Sequence, residues 1–160
     1  MNILRRNYVR SKRMNDKPNY SVTSAEQSKR LIELGYSAET ADLIYIKPPY
    51  FKGYHLFKKE WAKNYDDSYT KLPAWSLARL IDLLPEYLDV ALDEMAEDCV
   101  FYDLRFDKYS VTYATAENKT IFASGDKHTL LEAIVDTFVW LAENGWKFKV
   151  DENASMYLKT

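Results

Sequence analysis

Between Asp126 and Gly145 the apolar residues Leu130, Leu131, Ile134, Val135, Phe138, Leu141 and Ala142 recur three and four positions apart. That is the repeat of one buried helical face. Glu132, Asp136 and Glu143 fall on the opposite side. Asp126 or Thr129 is placed to cap the first N–H groups, and Glu132 lies three residues after Thr129 as in a capping box. Asn144-Gly145 ends the pattern, because glycine accepts the left-handed conformation that closes a helix. A helix this apolar must be covered, so the rest of the chain has to supply a core around it.

It has the means. Of 160 residues, 47% are apolar and 15% aromatic, which excludes global disorder. With 4 Gly and 5 Pro the chain is too poor in turn formers for a loop-rich all-β fold. The length matches one domain with tails. A formal net charge of −2 gives no whole-protein basic field of the kind a dedicated nucleic-acid binder carries. The lone cysteine, Cys99, has no internal disulfide partner, which points to a reducing, cytoplasmic compartment. It sits in an apolar β pattern and reads as a core residue. Met1 to Arg6 has no apolar stretch behind its charges, so no signal peptide is expected. No run approaches the roughly 18 apolar residues of a membrane span.

Along the chain, residues 1–19 carry Arg5, Arg6, Arg10, Lys12, Arg13 and Lys17 against Asp16, and read as a basic flexible arm. Residues 20–150 read as a single domain, with 151–160 as a frayed tail. Thr23 or Ser24, with Glu26 or Gln27, starts a helix that Gly35 ends. Leu43–Ile46 reads as a short strand stopped by Pro48-Pro49. Leu72-Pro73-Ala74-Trp75-Ser76 introduces a helix with Leu77, Leu80, Ile81 and Leu84 on one face, broken by Pro85. Glu86–Glu97 reads as a loop with a helical turn. Cys99–Phe106, Tyr109–Thr115 and Lys119–Ala123 alternate and are joined by turn-length connections, so they predict an antiparallel meander. Trp146, Phe148 and Val150 suggest a further edge strand. The expected fold is α+β: a small antiparallel sheet of about three strands covered on one face by two or three helices. If the Trp140 ring is buried there, truncating it costs about 3–5 kcal/mol.

Three stretches resemble a group of small proteins of unknown function from phage and mobile-element genomes of gut bacteria. They are Ser24–Lys29 running on to Leu34-Gly35, then Pro73–Leu77 through Leu83-Leu84-Pro85, then Thr129–Ala133 with Trp140-Leu141 and Glu143-Asn144-Gly145. The resemblance spans most of residues 23–146 and implies a shared fold and a bacterial host setting. It brings no catalytic residue with it.

The chemistry-bearing motifs are sparse. Gly125–His128 lacks the second glycine and the Lys-Ser/Thr ending of a phosphate loop. His55, His128 and Asp126 match no metal-ligand spacing, and no cofactor is implied. Asp93, Glu94, Glu97 and Asp98 read as a solvated acidic loop. The informative stretch is 47–71, an irregular aromatic and lysine-rich excursion. Within it Tyr50, Phe51, Tyr54, Phe57, Lys58, Lys59, Trp61 and Lys63 form the candidate binding set. Exposed aromatics anchor protein interfaces; rings interleaved with lysines also hold single-stranded nucleic acid. Packing of Phe51, Phe57 and Trp61 into the core would leave no site at all. The expectation is a non-catalytic protein-interaction or accessory module, including self-association, with single-stranded nucleic-acid binding as the alternative and an enzyme third. No membrane partner is expected.

Overall fold

A computed structural model describes residues 21–91, 99–151 and 154–159. The basic arm and the acids at 93–98 lie outside the described residues. The backbone forms two compact units, Met1–Arg79 and Leu80–Thr160, and the class is α+β, as the sequence pattern predicts.

The first unit opens with α1 (Ala25–Glu33), where Ser24 Oγ accepts from the Gln27 N–H and Gln27 Oε1 accepts from the Ser24 N–H. Both free donors are thus satisfied reciprocally. Gly35, at φ 91°, ends it. A short 3₁₀ turn (Ala38–Thr40) leads into β1 (Leu43–Lys47). β1 is the central strand of a three-stranded antiparallel sheet, flanked by β2 (His55–Lys58) and β3 (Thr70–Ala74). Its Ile44 and Ile46 are buried while Leu43, Tyr45 and Lys47 are half-buried, the period-2 alternation of a sheet covered on one side. α1 lies against β3.

The chain entering α1 is fixed to the chain leaving β3. Thr23 N–H donates to the Trp75 carbonyl, Trp75 N–H donates to Thr23 Oγ1, and Thr23 Oγ1 lies 2.8 Å from Ser28 Oγ. Trp75 is the largest side chain fully buried, at 1% exposure. Next to it, Asp42 accepts from both the N–H and the hydroxyl of Ser76, and Ser76 Oγ accepts from the Arg79 N–H. These bonds set the start of α2 (Leu77–Leu83).

Two expectations are corrected here. The 47–71 stretch is not irregular: it supplies β2, a 3₁₀ helix (Lys59–Asn64) and the first two residues of β3. His55–Trp61 shows neither a strand nor a helix period because the boundary between the two falls inside it. Leu72-Pro73-Ala74 does not introduce the following helix but completes β3, an edge strand, where proline removes no needed ladder bond.

In the second unit β4 (Tyr87–Ala91), β5 (Cys99–Asp107), β6 (Ser110–Ala114) and β7 (Thr120–Ala123) form an antiparallel meander in chain order. The three strands predicted from alternation are all present. The fourth, β4, corrects the reading of 87–91 as loop, while 92–97, the rest of the stretch read as a loop with a helical turn, lie outside the described residues; five residues with two outward-facing polar or aromatic positions give too little pattern. The turn after β6 places Asn118 at φ 64°, and Arg105 donates to Asn118 Oδ1 and the Thr115 carbonyl, both at 2.7 Å.

α3 (Leu130–Glu143) packs on β6 and buries Leu131, Ile134, Val135, Phe138 and Leu141. Thr129 is its cap, and Glu132 reaches back to the His128 N–H. Thr137, buried mid-helix, satisfies its hydroxyl on the Ala133 carbonyl. Trp140 is only half-buried, stacked on Phe122 at 4.7 Å, so it is not the core tryptophan. β8 (Trp146–Asp151) pairs with β9 (Ala154–Lys159) as a separate hairpin rather than extending the meander. The C-terminal stretch read as a frayed tail therefore carries a strand. Cys99 is exposed, not part of the core, because it sits on the outward-pointing phase of β5.

Candidate binding surface

β2 and the 3₁₀ helix behind it carry most of the aromatic and lysine set. Antiparallel pairing puts Phe57 opposite Ile44 of β1, which anchors that ring to the sheet. From there the rings form a continuous row. Phe57 and Trp61 are stacked at 5.9 Å with 23° between planes, Phe57 and Tyr65 are 5.6 Å apart, and Tyr65 meets Tyr69 edge-on at 5.1 Å. Tyr54 is held separately, 5.9 Å from Tyr45, whose hydroxyl donates to the Thr23 carbonyl. Phe51 lies edge-on to His55.

The rings of the whole segment range from half-buried to open. Phe57, Tyr54 and Tyr65 are half-buried, whereas Trp61 is 37%, Phe51 51% and Tyr50 95% exposed. Tyr50 follows Pro48-Pro49, where the chain leaves β1, and its ring stands in solvent. Burial pushes the Tyr65 hydroxyl above its ordinary range, with the neighbouring Tyr69 adding to the effect.

The lysines divide by role. Lys59 Nζ donates to the Ala38 and Glu39 carbonyls at 3.2 and 2.9 Å and pairs with the Glu39 carboxylate at 3.1 Å. It caps the 3₁₀ turn at Ala38–Thr40, so its charge is spent on the fold. Lys71, reaching the Tyr65 carbonyl at 2.6 Å, is used the same way. Lys52, Lys58 and Lys63 are exposed. Asp66 accepts from the N–H and hydroxyl of Ser68, which holds its carboxyl below the usual range and tightens the turn between Tyr65 and Tyr69.

Of the predicted set, Phe57 and Trp61 are brought together, with Lys58 and Lys63 exposed on the same segment. Tyr50 and Phe51 form a second, more open element. Tyr54 turns toward Tyr45, and Lys59 is engaged with the fold. Tyr65 and Tyr69 belong to the row although the predicted set omits them; the four-residue spacing of 57, 61, 65 and 69 is the signal that finds them. Tyr45 had none, since its partner lies across a strand pair. Among the described residues, no group of three or more His, Cys, Asp or Glu could hold a metal ion, and no helix is long and apolar enough to cross a membrane. Compared with protein-family models, curated proteins and solved structures, the chain matches none.

Proposed function

We propose that the protein is a non-catalytic interaction module that engages a protein partner through Tyr50, Phe51 and Trp61, with Lys52, Lys58 and Lys63 around them. The observation that carries this reading is the exposure of three large rings on one folded segment, with Tyr50 at 95%. A tyrosine so open contributes little to the fold, and aromatic side chains of this kind anchor interfaces by burying large area at low entropy cost. The row Phe57–Trp61–Tyr65–Tyr69 is packed upon itself and gives Trp61 a stiff base. The phage or mobile-element setting implied by the resemblance makes a cytoplasmic host protein the natural partner.

The test is affinity capture from bacterial lysate, comparing the native chain with a Tyr50→Ala/Trp61→Ala variant. A specific protein retained by the first and lost by the second supports the reading. Nothing retained, together with a monomeric mass by light scattering, overturns it.

Single-stranded nucleic acid is the second reading. What favours it is the local charge: residues 47–71 hold six lysines against three acids, and rings with lysines suit bases and phosphates. Against it, Phe57 and Trp61 stack on one another and Lys59 and Lys71 are committed to carbonyls. Fluorescence anisotropy of a labelled oligonucleotide at low salt, where phosphate contacts are strongest, decides between them.

A further inference from the structure

The second unit has an exposed aromatic pair of its own. Tyr87 on β4 and Phe101 on β5 are each 54% exposed and meet edge-on at 5.6 Å. Strand register sets Tyr87 opposite Asp103 and Asp89 opposite Phe101, and both aspartates are exposed. The four side chains make a checkerboard of ring and carboxylate on one face. Two rings left in water forgo burial worth having, while an acid beside each keeps neutral apolar surfaces from settling there.

The backbone at this place is also open. β4 is the outermost strand of its sheet. The Glu86 carbonyl accepts from the Leu104 N–H, so 86, 88 and 90 turn their backbone groups toward β5. Tyr87, Asp89 and Ala91 turn theirs away, to the side where, among the described residues, no strand pairs. An edge of this kind accepts an added strand, whose alternate side chains then fall on the same face as Tyr87 and Asp89. A second β4 would bring a second Asp89 to that face, and like charges across a strand pair are destabilising. A strand bearing cations meets carboxylates and aromatic faces together, and both attract guanidinium and ammonium groups.

We infer that the β4 edge with its Tyr87, Asp89, Phe101 and Asp103 face docks an extended protein segment carrying arginine or lysine at every second residue. The cation opposite Asp89 pairs with it directly; the one opposite Tyr87 lies over the ring and extends toward Asp103. This site is independent of the Tyr50–Trp61 surface in the first unit.

The probe is a fluorescein-labelled heptapeptide alternating arginine with valine, titrated onto the full chain by anisotropy, beside the same peptide with glutamate for arginine. Saturable binding of the arginine peptide, weakened at least about tenfold by glutamate, is the expected result. Asp89→Asn/Asp103→Asn, nearly isosteric and checked for an unchanged circular dichroism spectrum, weakens it to a similar degree, while Tyr50→Ala/Trp61→Ala does not. Strand addition further requires that the Tyr87 and Asp89 amides exchange more slowly with the peptide bound. Equal binding of the two peptides, no saturable binding at millimolar peptide, unchanged affinity in the Asn variant or unprotected amides each overturns the inference.

Discussion

The indole N–H of Trp75 donates to Thr40 Oγ1 at 3.0 Å, joining residues 35 positions apart inside the first unit. Thr40 in turn donates its own proton to the Ser37 carbonyl at 2.7 Å, so one hydroxyl satisfies both a buried ring and a turn. Thr40→Val keeps the shape and removes the acceptor. The stranded indole N–H then costs about 1–3 kcal/mol, read as a lower urea midpoint with an unchanged slope. A midpoint equal to that of the native chain would show that the bond contributes nothing net.

The two tryptophans Trp75 and Trp140 separate by burial. Trp75→Ala empties a fully buried site and costs about 3–5 kcal/mol. Trp140→Ala removes a half-buried ring and its stack on Phe122, for about 1–2 kcal/mol, roughly the value of an aromatic pair plus partial burial. Chemical denaturation of both variants checks the order, which should not reverse.

Gly35 has φ 91° and open space where a Cβ would go. Gly35→Ala therefore meets no clash, only the left-handed backbone, at about 1–2 kcal/mol. Thermal unfolding measures it, and a stabilised variant would contradict the assigned conformation.

On the alkaline side three groups act in one direction. Lys127 is raised above its ordinary 10.5 by its hydrogen bond to Asp136, at 2.6 Å, and by that carboxylate's charge. Tyr45 and Tyr65 are raised above 10.0, chiefly by burial. A group whose folded value lies above its unfolded one contributes stability below the unfolded value and loses it as pH rises through the folded value. Stability should thus decline above about pH 10. Lys127→Met removes one contribution, so its decline is shallower when urea midpoints are followed against pH.

Tyr50→Ala is expected to leave the unfolding midpoint within about 0.5 kcal/mol of the native chain while abolishing capture of the partner. Phe57→Ala should lower both, because Phe57 supports the ring row and faces Ile44 across the sheet. Equal effects of the two variants on stability would mean that Tyr50 is not the open ring the structure places there.

How much of this was legible follows from segment length. α3 spans four turns with one apolar stripe, so its period, its Thr129 cap and its Gly145 stop agree with one another. The strands 99–123 are close in sequence and alternate cleanly. Of the first sheet only β1 was legible, as the Leu43–Ile46 strand; its two neighbours were not, for the opposite reason. β2 has four residues and runs straight into a 3₁₀ helix, and β3 hides a proline that ordinarily argues for a helix start. The aromatic and lysine segment was identifiable as a candidate, but the role of each member was not. Lys59 is consumed by carbonyls about twenty positions away, and Phe57 lies opposite Ile44 on β1 whereas Phe51 lies outside any strand. Tyr87 and Phe101 meet through strand register, which no local pattern carries.

In the first unit β1 sits between two strands that both come after it in the chain. During synthesis β1 can pair with β2 once Lys58 has emerged, but its other edge waits until Ala74 has left the ribosome. At about 5–20 residues per second that is on the order of a few seconds, whereas in the 87–123 sheet every strand pairs with the next one in the chain. A nascent chain ending between Lys58 and Thr70 thus carries β1 with one backbone edge unpaired, the kind of edge that accepts a foreign strand.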